Sequence, residues 1–159
     1  LAQLVIAGDG PCLPDLRATA RRHGVADRVR FPGYLMPAAA MGEIDIFALS
    51  SDTEQMPYSV IEAMACGLPV VATDVGDVRA MLSEENRSYL VAPGDAAALA
   101  DRLVALAWDV DTCRNVGRAN CTRAVEAFDE SAMCQGWLRV LGWSVTHAMR
   151  LSDPSGATW

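Results

Sequence analysis

Glu54 and Glu62 are the residues of this chain whose type and spacing are best suited to chemistry. Seven uncharged residues separate them, and Glu62 is the only charged residue from Gln55 to Thr73. An ionised carboxylate is costly to bury without polar partners. Glu62 therefore either lies on an exposed face or holds a polar ligand. The apolar helix-then-strand pattern around it favours the ligand.

The helix that carries Glu62 is predicted to begin near Pro57 or Tyr58. Proline is tolerated in the first turn of a helix, because the N–H that it lacks would have no partner there. We expect the backbone N–H groups of Tyr58, Ser59 and Val60 to be unpaired. Together with the helix dipole they would form an anion site suited to a phosphate.

The two carboxylates can serve different parts of one ligand. Helical side chains lean towards the N-terminus of their helix. Glu62 lies about one turn into the helix, so its side chain can reach the anion site at the helix start. It could accept hydrogen bonds from a vicinal diol such as a ribose, and Glu54 could accept from the hydroxyls of a sugar. Two alternatives stay open: Glu62 caps local N–H groups, or Glu54 is a solvated loop charge.

Apolar runs that end at turns predict alternating strands and helices along most of the chain. Strands are predicted at residues 4–7, 29–31, 44–49, 69–72 and 88–91. Helices are predicted at residues 13–23, 38–41, 58–66, 78–82, 96–108, 112–128 and 131–149. Gly24 and Gly67 are the expected helix stops, and Asp95 and Ser131 the expected N-caps. The pattern indicates an α/β fold with a doubly wound, mostly parallel, Rossmann-like sheet and three helices at the C-terminal end.

Ligands of such sheets bind beyond the carboxyl ends of the strands. Three loops should converge there, at residues 8–11, 32–35 and 50–58. The first contains Gly8-Asp9-Gly10, which matches the start of a dinucleotide fingerprint. The third glycine of that fingerprint would fall at Leu13, so the match fails. A turn that needs small residues explains the glycines equally well.

Bulk composition narrows the class of protein. The chain has 159 residues, of which 52% are hydrophobic, and this suits one domain with a real core. A net charge of −7 argues against a nucleic-acid partner. The five cysteines are scattered without a CxxC pair and predict reduced thiols in a cytosolic protein. His23 and His147 lack the spacing of a metal site.

Four segments carry a resemblance to a known family. They are LVIAGDGP at 4–11, RVRFPGYL at 28–35, IDIFALSSDTEQMPYSVIEAMACGLPVVATDVG at 44–76 and YLVAPGDAAALADRL at 89–103. Together they resemble the C-terminal, donor-binding domain of the retaining, two-Rossmann-domain (GT-B fold) glycosyltransferases of group 1 type. The likeness extends to about residue 149, and the segment that contains both glutamates is its most specific part.

The resemblance implies a nucleotide-diphosphate sugar as donor, retention of anomeric configuration and no metal or other cofactor. It assigns the ribose hydroxyls to Glu62 and the donor sugar to Glu54, the expected catalytic residue. The other donor-binding residues that we expect are Met56, Pro57, Tyr58, Ser59, Gly8, Gly10, Gly33 and Tyr34. Of these, Pro57 departs from the glycine of many members and lacks an amide N–H.

A second departure concerns the start of the family's domain, where an Arg and a Lys neutralise the diphosphate. None of Arg17, Arg21 and Arg22 lies in the matching context. We therefore expect residues 1–149 to be an N-terminally truncated nucleotide-sugar-binding domain, with residues 150–159 as a flexible tail. The missing first strand would lie centrally, between the strands at 4–7 and 44–49. Unpaired strand edges there would favour a dimer of the fragment.

These observations predict the donor half of a cytoplasmic hexosyltransferase that builds a polysaccharide, glycolipid or glycoside. The missing N-terminal domain would hold the acceptor, a sugar, lipid or small molecule, and would contact the inner face of the membrane peripherally. The isolated fragment is expected to be inactive. The alternatives are a non-catalytic nucleotide-sugar-binding module, an epimerase of sugar nucleotides, and a dinucleotide-dependent oxidoreductase, which Leu13 disfavours.

Overall fold

The computed structural model describes residues 2–141. Five strands are present in this range: β1 (Leu4–Ala7), β2 (Val29–Gly33), β3 (Phe47–Leu49), β4 (Val70–Thr73) and β5 (Leu90–Val91). Seven α-helices alternate with them and then follow them: α1 (Leu13–Arg22), α2 (Pro37–Met41), α3 (Tyr58–Ala65), α4 (Val78–Met81), α5 (Ala96–Trp108), α6 (Val110–Ala127) and α7 (Glu130–Val140). Single 3₁₀ turns precede β2 and β5.

Every strand pairing in this range is parallel, which confirms the predicted α/β fold class. β1 pairs with β2, and β4 lies between β3 and β5 in a second sheet. In that sheet Phe47 is opposite Val70, and Ala72 is opposite Leu90. Among residues 2–141 no ladder joins the two sheets. The resemblance placed a further strand between β1 and β3, which belong to different sheets in this range.

The core is built on β4, whose four residues are all buried. The strand is therefore covered on both faces, which is typical of a parallel strand with a run of β-branched residues. Helix α3 packs between the sheet and α6. It contributes Val60, Ala63 and Met64, which are fully buried.

Two asparagines complete this core with polar contacts. The Asn86 side chain accepts from the Val70 N–H at 2.8 Å and donates to the Val70 carbonyl at 2.6 Å. Asn120 of α6 donates to the side-chain oxygen of Asn86 at 2.6 Å and to the Leu68 carbonyl at 3.0 Å. Both asparagines have no exposed surface. They join β4, α6 and the turn before β5.

The two predicted helix stops are confirmed. α1 ends at Arg22, and Gly24 follows two residues later. α3 ends at Ala65, after which Gly67 takes a left-handed conformation with φ +73°. Its N–H donates to the Met64 carbonyl, and the next N–H donates back to Ala63, so the last carbonyls of the helix are satisfied.

Several predicted boundaries are corrected. β3 begins at Phe47 rather than residue 44, because its partner β4 begins only at Val70, after the helix stop and Pro69, which has no N–H. The cap of α7 is Asp129, whose carboxylate accepts from Ala132, and not Ser131, which lies inside the helix. The Asp95 cap is confirmed. The predicted end of the last helix and the tail at 150–159 lie outside the described residues.

Candidate functional site

Glu54 lies in the loop between β3 and α3, where its carboxylate is held from within the loop. The hydroxyl of Ser51 donates to Glu54 Oε1 at 2.8 Å. Ser51 is itself fixed, because its carbonyl accepts from Oγ1 of Thr73 at 2.6 Å. Thr73 is the last residue of β4 and is buried. The carboxylate is therefore oriented by a chain of two hydrogen bonds that starts in the central strand.

The same loop also rests on the turn between β4 and α4. The N–H of Asp77 donates to the Gln55 carbonyl at 2.8 Å. Gly76 precedes it with φ +52°, and a Cβ at this position would lie 2.3 Å from the carbonyl oxygen of Glu54. Only a glycine permits this contact between the two loops.

Helix α3 begins at Tyr58, with Pro57 as its N-cap. Pro57 is buried, whereas Tyr58 is 80% exposed and Met56 is 47% exposed. No side chain caps this end of the helix. Within residues 2–141 the N–H groups of Tyr58 and Ser59 have no acceptor, as predicted, and they are available to a ligand.

The prediction for a third amide is wrong. The N–H of Val60 donates to the Pro57 carbonyl at 3.1 Å, so it is not available to a ligand. A bond to the residue three positions earlier tightens the first turn, as is common at helix ends. The anion site at α3 therefore has two free backbone donors instead of three.

Glu62 lies one turn further into α3 and is half-buried. Its carboxylate makes no hydrogen bond or ion pair with any residue of the described range. The alternative that Glu62 caps local N–H groups is therefore not what the structure shows. A half-buried carboxylate without a protein partner is suited to accept hydrogen bonds from a ligand.

The two glycine-containing loops at the other sheet meet each other. Gly8 donates its N–H to the Gly33 carbonyl at 2.7 Å. Gly10 donates to the carboxylate of the preceding Asp9 at 2.8 Å, and its carbonyl accepts from Leu13 as α1 begins. These contacts are those of a turn that leads into a helix. Tyr34, which follows β2, is 75% exposed and available for stacking.

The hydrogen bonds of residues 2–141 therefore divide the predicted site into two groups. Gly8 and Gly33 are brought together, and Glu54 is joined to the turn after β4. No hydrogen bond in the described range links the two groups. Ser51, Thr73 and Gly76 did not emerge from the sequence analysis. A threonine at the end of a buried strand, followed by a glycine three residues later, is the signal that marks them.

Charge near the end of β4 is balanced by one ion pair. The guanidinium of Arg79 donates from Nε at 2.9 Å to Asp74, and from Nη2 as well. The hydrogen bonds and the charge of Asp74 raise the pKa of Arg79 above its usual value.

Residues 2–141 contain no cluster of three or more His, Cys, Asp or Glu side chains that could hold a metal ion. None of the helices in this range is long and apolar enough to cross a membrane.

A separate apolar depression of about 270 Å³ lies on α7 and is lined by Met133, Gly136, Trp137 and Val140. It contains none of the predicted site residues. The candidate site is instead defined by the loops that follow the parallel strands, which is where ligands bind in sheets of this kind.

The parallel strands, the loop that carries Glu54 and the uncapped N-terminus of α3 together define a Rossmann-like domain. The family model described as glycosyl transferases group 1 matches residues 1–109, and the chain belongs to this family. Phosphatidyl-myo-inositol mannosyltransferase of Mycobacterium leprae is 35% identical over 142 residues, covering 87% of this chain and 37% of the relative. N-acetyl-alpha-D-glucosaminyl L-malate synthase of Bacillus anthracis is 30% identical over 128 residues, covering 80% and 34%.

The fold also matches solved glycosyltransferases. Anabaena HepE, determined in complex with UDP and glucose, superposes with a TM-score of 0.81 at 24% identity, covering 88% of this chain and 40% of that one. The likeness confirms the GT-B type of Rossmann-like fold. The chain spans about a third of the length of the two curated relatives.

Proposed function

We propose that this chain binds a nucleoside diphosphate sugar as the donor half of a retaining glycosyltransferase. The observation that supports this most is the arrangement around α3. Two unpaired N–H groups at its N-terminus lie one turn before Glu62, a carboxylate without a protein partner, and directly after the loop that orients Glu54. An anion site between two hydrogen-bond acceptors fits a ligand with a diphosphate between two polyhydroxylated rings.

The N–H groups at the start of α3, Glu62 and Glu54 each bind a different part of the donor. The N–H groups of Tyr58 and Ser59 bind phosphate oxygens, because the helix end supplies both donors and a partial positive charge. Glu62 accepts from the two ribose hydroxyls, which a carboxylate can do with both oxygens. Glu54 accepts from a hydroxyl of the sugar that is transferred. Tyr34 and Gly33 lie at the end of β2, where an exposed aromatic ring could stack on the base.

The resemblance implies two further parts of the proposal, which are retention of anomeric configuration and transfer without a metal. Both are tested in a protein that joins this chain to an acceptor-binding domain. Retention is tested by NMR of the anomeric proton of the product at early times. Metal independence is tested by the transfer rate before and after treatment with EDTA. An inverted product, or activity that returns only with an added divalent cation, would refute the corresponding part.

Calorimetric titration with UDP, GDP, ADP and dTDP tests donor binding, with UDP first because HepE binds it. Glu62→Gln should weaken binding of the tightest nucleotide by about tenfold or more, since a charge-assisted hydrogen bond contributes about 1.5–3 kcal/mol. Glu126→Gln is the control, because Glu126 is exposed on α6 and makes no side-chain bond in the described range. Equal affinities of the unmodified protein, Glu62→Gln and Glu126→Gln would show that Glu62 does not bind the ribose.

In a protein that joins this chain to an acceptor-binding domain, Glu54→Ala should lower sugar transfer while nucleoside diphosphate affinity stays within about twofold, since Glu54 is assigned to the sugar. Equal losses in both would refute this division. Donor binding without transfer to any acceptor, in a protein that joins this chain to an acceptor-binding domain, would favour a non-catalytic binding module. Conversion of the donor sugar without an acceptor would favour an epimerase.

A further inference from the structure

The loop that carries Glu54 is held at two separate points, the first on the central strand and the second on the turn that follows this strand. The first is its beginning, where Thr73 Oγ1 donates to the Ser51 carbonyl at 2.6 Å. Thr73 is 4% exposed and ends β4, which is covered on both faces. This anchor therefore ties the loop to the packed core of the domain.

The second point of attachment is the end of the same loop. The Asp77 N–H donates to the Gln55 carbonyl at 2.8 Å. Gly76 allows this approach, because a Cβ there would lie 2.3 Å from the Glu54 carbonyl oxygen and 2.6 Å from that of Gln55. With φ +52°, Gly76 also has a conformation that other residues rarely adopt.

Between these two points the Glu54 carboxylate itself is oriented. Ser51 Oγ donates to Oε1 at 2.8 Å, and no residue of the described range donates to Oε2. The geometry points to Ser51, Thr73 and Gly76 as positioning residues, which hold one oxygen of Glu54 so that the other faces the donor sugar. The inference rests on the proposed function, in which a sugar hydroxyl is the partner of that free oxygen.

If Ser51, Thr73 and Gly76 only supported the fold, their substitution would have a different effect on the affinities for nucleotide and nucleotide sugar. A loop that only supports the fold would, when loosened, weaken the whole site, so nucleotide and nucleotide sugar would lose affinity together. Positioning of Glu54 predicts a selective loss, because the proposed function assigns the nucleotide to α3 and Glu62 and only the sugar to Glu54. The ratio of the two dissociation constants separates these possibilities.

The first experiment needs no ligand. Gly76→Ala should raise the amide exchange rate of Asp77 by about tenfold or more, since the hydrogen bond to Gln55 cannot form beside an added methyl group. Gly94→Ala is a matched control, because Gly94 also has a positive φ, of +78°, but nothing lies within 4 Å of an added Cβ. Unchanged Asp77 exchange in folded Gly76→Ala would overturn the assignment of Gly76.

The second experiment uses milder variants, Ser51→Ala and Thr73→Val. The probes are the tightest-binding nucleoside diphosphate of the panel and its glucose, mannose and N-acetylglucosamine conjugates. Each variant should lower affinity for the preferred conjugate by about five- to tenfold, the loss expected for one hydrogen bond, with the diphosphate within about twofold. Thr73→Ser should restore the original ratio, because it keeps the hydroxyl. Ser88→Ala, in an exposed turn, is the control.

Equal loss of both ligands, or no loss of either, would overturn the assignment of Ser51 and Thr73. If the unmodified protein binds no nucleoside diphosphate, the proposed function fails. The exchange of Asp77 still decides whether Gly76 fixes the Glu54 loop.

Discussion

Gly117 of α6 packs directly on the carbonyl oxygen of Gly67, the glycine that follows the end of α3. A Cβ at Gly117 would lie 2.0 Å from that oxygen and 3.0 Å from the carbonyl carbon. The two helices therefore meet backbone to backbone at the end of the helix that carries Glu62. Contact between α6 and this helix stop fixes the position of α3, and with it the candidate anion site at the other end of α3.

Gly117→Ala should therefore lower the free energy of unfolding by about 1–3 kcal/mol, because the methyl group forces the backbones of two core elements apart. Urea titration followed by circular dichroism measures this change. Gly136→Ala is the control, since Gly136 lies in α7 with nothing within 4 Å of an added Cβ. It should be neutral or stabilise by up to about 1 kcal/mol, through helix propensity. Similar effects of both substitutions would contradict the packing described.

The order of strands and helices could be predicted because each element carries its own local signal. The apolar run of β4 and the glycine that stops α3 are examples, and both predictions are confirmed. Glu54 and Glu62 could be selected because a charge within an apolar pattern needs a partner. These inferences depend only on residues that are close together in the chain.

Contacts between distant residues could not be predicted in this way. The bond that anchors the Glu54 loop joins Ser51 and Thr73, which are 22 positions apart. The hydrogen bond between Asn86 and Asn120 spans 34 positions. A polar residue with such a partner looks in the sequence like any loop or surface residue. The N–H of Val60 was mispredicted for a related reason, because the tightness of a first helical turn depends on the geometry of its cap.

Asn86→Ala should be among the most destabilising single substitutions, at about 2–5 kcal/mol. It removes the partner of both backbone polar groups of Val70 and of the Asn120 side chain, and each unsatisfied buried group costs about 1–3 kcal/mol. Chemical denaturation gives the value. Asn115→Ala is the matched control, because Asn115 is exposed on α6 and should change stability by less than about 0.5 kcal/mol. An Asn86 variant as stable as the control would show that the network is not formed.

Asp109 should make part of the stability depend on pH. It caps α6 by accepting from the N–H of Thr112 at 2.9 Å and from its hydroxyl at 2.7 Å. The backbone bond, and then the side-chain bond, lower the pKa of Asp109 below its ordinary value of 3.8. A pKa that is lower in the folded state stabilises the protein above 3.8, and this contribution is lost as the pH falls through the folded pKa.

Asp109→Asn cannot titrate, so the variant should lose less stability than the original protein as the pH falls from about 5 to about 2.5. Melting temperatures at a series of pH values measure this. Asp101→Asn, on the exposed side of α5, is the control, because it removes a carboxylate that accepts no hydrogen bond in the described range. If the melting temperature of Asp109→Asn falls with decreasing pH as steeply as that of the original protein, the cap does not shift the titration of this carboxylate.

Tyr58 allows a direct test of the helix end as the phosphate site. It is the first residue of α3, and the residue before it already has an extended backbone, so Tyr58→Pro fits the helix while deleting one N–H. Tyr58→Ala removes the same exposed side chain but keeps the N–H. If the helix end binds the diphosphate of the proposed donor, the proline variant should bind nucleoside diphosphate about tenfold more weakly than the alanine variant. This is the loss expected for one charge-assisted hydrogen bond. Calorimetry with the diphosphate and with the unphosphorylated nucleoside measures the difference, which should vanish for the nucleoside. Equal diphosphate affinities of the two variants would place the phosphates elsewhere on the domain.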